Sequence, residues 1–170
     1  MFSIHRKNRG RNSRRSGVSR RSGTATLELA LTLSLLFLVS FGMVEFGGCF
    51  YIKNNMEGAA REGCRAGIVT GATTALCNNA VENQLQVAGL VPSGTSASAS
   101  GNNYLIGNYT VSYMDNGSAV TNVASVPVGD TLTTQIQATW GTVGSNYRIL
   151  ALMPASKLIT CASAMRKEGQ

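Results

Sequence analysis

From Thr24 to about Phe50 the chain is apolar with few interruptions, and Leu29 to Phe46 is mostly Leu, Val, Phe and Ala. At 1.5 Å per residue that span reaches about 40 Å as a helix, more than a hydrocarbon core of about 30 Å. It predicts one membrane-crossing helix, and no second run of that kind follows. A cleaved secretory signal is the competing reading. Its apolar region is usually about 7 to 15 residues long, and "VSFG" is a weak cleavage site. Beyond the apolar span a helical period continues: Cys49, Ile52, Met56, Ala59, Gly63 and Ala66 alternate steps of three and four, which sets them on one stripe. Small residues in such a stripe suit close helix-to-helix approach, and they suit equally a helix lying on its own domain. On other faces, Lys53/Glu57 and Glu57/Arg61 have the i,i+4 spacing of helical ion pairs.

"TGATT" (Thr70 to Thr74) breaks the pattern, and Ala75 to Ala88 predicts a shorter helix with Leu76, Ala80, Gln84/Leu85 and Ala88 near one side. Residues 92–103, "PSGTSASASGNN", predict a loop. Strand periods follow. Tyr109, Val111 and Tyr113 alternate with polar neighbours, and Asp115 to Gly117 reads as a turn toward a short strand near Ala119 to Val123. After Gly129-Asp130 a clearer run places Leu132, Thr134, Ile136, Ala138 and Trp140 on one face. Lys157 to Met165 is its expected antiparallel partner. The expected fold is therefore α+β: a long N-terminal membrane and stalk helix, a short second helix and a small antiparallel sheet. Three regions result: a basic segment 1–23, a membrane helix 24–50, and a domain 51–170 that continues the helix.

Charge sharpens this division. The net charge is +7, yet eight of the fifteen basic residues fall within residues 1–22, where there is no acid, so the other seven face all eight acids. The body is about neutral. A basic arm can hold phosphates, but directly before an apolar span it reads as a topology signal that stays in the cytoplasm. The domain after residue 50 is then extracytoplasmic, a compartment that permits disulfides. Cys49 and Cys64 are about 22 Å apart along one helix and cannot bond within a chain. The expected bridge is Cys77 with Cys161, with Cys64 as the competing partner and buried free thiols as the other alternative.

Candidate chemistry is sparse. The one histidine, His5, lies in the basic segment, Asp115 and Asp130 read as turn residues, and the Asn-x-Ser/Thr triplets at Asn108 and Asn116 are common enough to arise by chance. No CxxC pair, phosphate loop, nucleophile elbow or carboxylate pair is present. The expectation is no enzyme, no metal and no cofactor. What stands out is Glu28, an acid inside the apolar run, where an ionised side chain is expensive enough that a functional reason is the default. Glu45, about 25 Å further along the helix, can reach the opposite interface.

"RRSGTATLELALTLSLLFLVSFGMVEFG", "AAREGCRAG" and the ending "LITCASAMRKE" resemble the TadE-like family, minor pilins (pseudopilins) of the bacterial tight-adherence pilus, a branch of the type IV pilus superfamily. The resemblance covers roughly a third of the chain. It implies cleavage by a prepilin peptidase after Gly23, leaving Thr24 as the new N-terminus and Glu28 as the fifth mature residue. In related pilins that carboxylate faces the terminal amine of a neighbouring subunit, so two buried charges are paired, which is tolerable where one alone is not. The implied partners are the peptidase, other pilin subunits, an inner-membrane assembly platform and the bilayer, without nucleic acid. The implied location is the bacterial inner membrane with the N-terminus cytoplasmic. Two positions depart from the family pattern: Cys64 stands where alanine is familiar, and Thr24 stands where many pilins have Phe, which bears on N-methylation. The first alternative is an uncleaved single-pass anchor displaying a binding domain, as in TadG-type proteins, and the second, ranked below it, is a membrane-tethered enzyme.

Overall fold

A computed structural model describes residues 21–169, and two units divide between Phe37 and Leu38. Helix α1, Arg21–Ile68, is continuous through that division. The basic segment up to residue 20, with His5, lies outside the described residues. In the first unit the side chains from Gly23 to Phe37 are all exposed, Leu27 and Leu31 to 68% and 74%. Two hydroxyls of this unit fold back on the helix: Thr32 Oγ1 donates to the Glu28 carbonyl at 2.8 Å, and Ser34 Oγ to the Ala30 carbonyl at 2.9 Å. Hydroxyls bonded in this way leave a mostly apolar exterior, and by length and composition this helix is able to cross a membrane.

The second unit is built on the sheet and on residues 38–68 of α1. Helix α2, Thr74–Val87, is capped by Thr73, whose hydroxyl accepts from Leu76 N–H at 3.3 Å. The strands are β1, Ser98–Ser100; β2, Asn103–Ile106; β3, Tyr109–Asp115; β4, Ser118–Val120; β5, Thr131–Thr139; and β6, Leu158–Arg166. All pair antiparallel in the order β1-β2-β3-β5-β6, with β4 pairing β3. Asn116 and Gly117, both at positive φ, make the tight β3–β4 turn. One turn of helix, α3, Trp140–Val143, follows β5 directly. The predicted inward row is the core: Leu132, Thr134, Ile136, Ala138 and Trp140 are all buried, as are Tyr109, Val111 and Tyr113.

The stripe on α1 lies on its own domain. Ile52, Met56, Ala59 and Gly63 are buried, together with Ala60, Cys64 and Gly67. A side chain at Gly67 would collide with Leu132, so the absence of a Cβ lets helix and sheet approach closely. Four expectations are corrected. Residues 98–100 and 103 are strand, not loop, because a two-residue reversal at Gly101-Asn102 forms an edge hairpin whose exposed β1 needs no apolar alternation. The inner face of α2 carries Cys77, Asn78, Val81 and Leu85, whereas Leu76 is exposed. Asn78 is turned inward because Tyr113 Oη donates to its Oδ1 at 2.8 Å. The strand expected at Ala119 to Val123 ends at Val120, and a short 3₁₀ turn starts at Val123. Finally, Glu57 accepts from Arg61 at 2.6 Å, and no ion pair joins it to Lys53 among the described residues.

Candidate processing and assembly segment

Gly23 sits two residues inside the start of α1, and an added Cβ there would meet nothing within 4 Å. Thr24 and Glu28 are exposed on the same helix. Among the described residues Glu28 takes part in no ion pair, and the apolar side chains around it, Leu27, Leu29 and Leu31, are exposed as well. The segment therefore presents one carboxylate within an uncovered apolar surface. The geometry suits an external cover of hydrocarbon or of another apolar helix, together with a cation that meets Glu28.

Glu45 behaves differently. It is fully buried in the second unit, where its Oε1 accepts from Met153 N–H at 3.0 Å and its Oε2 from Leu152 N–H at 3.2 Å. Ala151, at φ 52°, turns the loop so that two successive N–H groups converge on the carboxylate, a small backbone nest for an anion. Gly42 and Gly48, three residues to either side of Glu45, are buried under this loop region. A Cβ at Gly42 would touch Leu152, and one at Gly48 would collide with the Tyr147 ring. Glu45 is thus the post to which residues 147–153 are tied. The sequence signal for this was the spacing Gly42/Glu45/Gly48 on one helical face, which the apolar run disguises.

All four cysteines are free thiols. The expected Cys77–Cys161 bridge is corrected. Cys161 Sγ donates to the Lys53 carbonyl at 3.4 Å, whereas Cys77 Sγ lies beside Gly67. Those levels of α1 are about 21 Å apart, beyond disulfide reach. The competing partner, Cys64, sits where α1 crosses β5 and β6. Its thiol donates to the Ser163 carbonyl at 2.9 Å and accepts from Thr134 N–H at 3.2 Å, contacts that alanine cannot make. Burial pushes the Cys77 thiol up to about 11 and raises the Cys161 thiol as well, so both stay protonated and unreactive near neutral pH. Lys167, a residue that pattern reading missed, is buried with its ammonium donating to the Val126 carbonyl at 2.8 Å and the Val123 carbonyl at 3.2 Å.

Residues 23–65 match the family model described as "TadE-like protein". That match begins at the glycine of the proposed cut and covers the exposed segment, Glu28, Glu45 and the helix as far as Arg65. No curated protein and no solved structure matches the chain.

Proposed function

We propose that the chain is a minor pilin or pilus-assembly protein of a tight-adherence pilus. A prepilin peptidase cuts it after Gly23, and it assembles through the N-terminal part of α1. It performs no catalysis of its own and holds no metal or cofactor. The observation that carries this reading is Glu28, the lone acid on an apolar helical surface that the unit's own residues leave uncovered, within the segment that matches the TadE-like family. Cleavage after Gly23 would create an amine four residues before Glu28, about one helical turn away. The same amine on a neighbouring subunit provides the pairing cation. Before cutting, the bilayer covers the apolar surface; in the filament, neighbouring helices cover it. The head domain stays outside the cytoplasm, as the positive flank requires.

Glu28→Ala tests this in cells that make the pilus. The expected variant is cut and stable in the membrane yet absent from sheared filaments, and incorporation at the level of the unsubstituted chain contradicts the reading. A second reading, an uncleaved anchor for a binding domain, draws on the fact that Gly23 lies inside the helix and not in an extended segment. On that reading Gly23→Ala leaves the chain's size and location unchanged, whereas on the first it leaves the basic segment attached.

A further inference from the structure

The second unit contains a groove of about 450 Å³ between α1 and the start of β6. Its apolar wall is made by Phe46, Phe50, Met153 and Leu158, and its charged rim by Lys53 and Lys157. We propose that this groove binds the headgroup region of one anionic phospholipid from the leaflet next to the head domain. The phosphate would lie between the two lysines, and the proximal acyl carbons against the phenylalanines. This inference rests on reading α1 as a membrane helix.

Three observations favour a lipid over other occupants. First, the groove continues the exposed apolar surface of the helix: Val39, Met43, Phe46 and Phe50, which share a face at helical spacing, are 45%, 69%, 48% and 64% exposed, and the first charged position on that side is Lys53. The change from aromatic to cationic side chains is the order in which a bilayer changes from acyl chain to headgroup. Second, both lysines are exposed and neither meets an acid among the described residues, because Glu57, one turn beyond Lys53, is engaged by Arg61. Both line the same groove, together with Cys49. Third, the positions are fixed. Lys157 N–H donates to the Pro154 carbonyl at 3.0 Å, its carbonyl accepts from Trp140 N–H at 2.7 Å, and the loop beneath is tied to Glu45. A groove of this size suits part of an amphiphile, with apolar walls for orientation and a few polar groups for selection.

The test uses the full-length chain with a photocrosslinking side chain at Leu158. It is reconstituted in vesicles of phosphatidylcholine alone or of phosphatidylcholine and phosphatidylglycerol in equal parts. Near a membrane surface two lysines favour an anionic headgroup by about thirtyfold, so intact mass after illumination should show phosphatidylglycerol adducts in about that excess. Lys53→Gln or Lys157→Gln each reduces the excess about fivefold, the double variant brings the two lipids to parity, and arginine at both positions restores it. Equal adduct yields from the unsubstituted chain, or adducts to a second polypeptide in place of lipid, overturn the proposal. Alkaline carbonate extraction of the same vesicles separates the two possible failures. A chain washed from the vesicles defeats the membrane reading and this site together, whereas a chain retained without lipid preference defeats the site alone.

Discussion

Residues 23–37 and residues 42–67 belong to one helix and show two ways of treating apolar surface. The first stretch is Leu-rich and exposed on every side, with Thr32 and Ser34 bonded back to the helix. The second buries a stripe of small residues against its own sheet and loop. Large side chains all round a helix fit a fluid or shared environment, whereas glycines and alanines at three- and four-residue steps fit one fixed partner. The two acids follow the same division: Glu45 has its partners in the loop, and Glu28 is exposed and in no ion pair among the described residues.

The comparison can be broken most forcefully at the head. Trp140 is fully buried, and Trp140→Ala should cost about 3–5 kcal/mol in urea unfolding of the detergent-solubilised chain while leaving membrane extraction unchanged. A smaller cost would mean that the sheet is held chiefly by something else. Next comes a pair of identical changes on α1. Gly67→Leu overpacks against Leu132 and should cost about 1–3 kcal/mol, whereas Gly23→Leu, in open space, should leave head stability unaltered and act only on processing. Equal destabilisation by the two would erase the distinction.

The acids give a third contrast. Glu45→Ala strands two backbone N–H groups, and the melting temperature should fall by about 5–10 °C. Glu28→Ala should not move it. The smallest effect is a pH dependence confined to the head. Burial pushes the Cys77 thiol up from 9.0 to about 11 and the Tyr109 phenol up from 10.0 to about 12. Both keep their protons in the folded head at a pH where the unfolded chain releases them. Their stabilisation is complete below about pH 9 and is lost as pH rises through 11 and 12. Thermal melts should be level below pH 9 and decline above it, with Cys77→Ala making the decline between 9 and 11 shallower while the Tyr109 part above 10 persists. A decline of the same slope in Cys77→Ala would contradict the assignment.

Much of this division is legible in the residues themselves. The apolar run, the stripe from Cys49 to Ala66 and the alternating row of β5 specify period and face, because each has many positions repeating one rule. What escaped depends on a single partner remote in sequence. Asn78 looks like a surface residue of α2 until Tyr113 arrives from the sheet, and Glu45 looks like an interface acid until the loop beyond Tyr147 closes on it. Cys77 and Cys161 looked pairable because spacing says nothing about the level at which each meets α1. The edge hairpin at 98–106 was hidden for another reason: a strand exposed on both faces carries no hydrophobic signature. In the exposed N-terminal stretch, Glu28 was visible as an oddity of composition, an acid where hydrocarbon-facing residues were expected, whereas Gly23 stood out only through the family resemblance.

The central claim is that the helix is uncovered at its N-terminal end because it is made to be cut and then shared. The most direct measurement is the N-terminal residue of the mature chain isolated from cells that contain the prepilin peptidase. A chain beginning at Thr24 is the predicted result, and one beginning at Met1, or at Phe2 after loss of the initiator methionine, would contradict it.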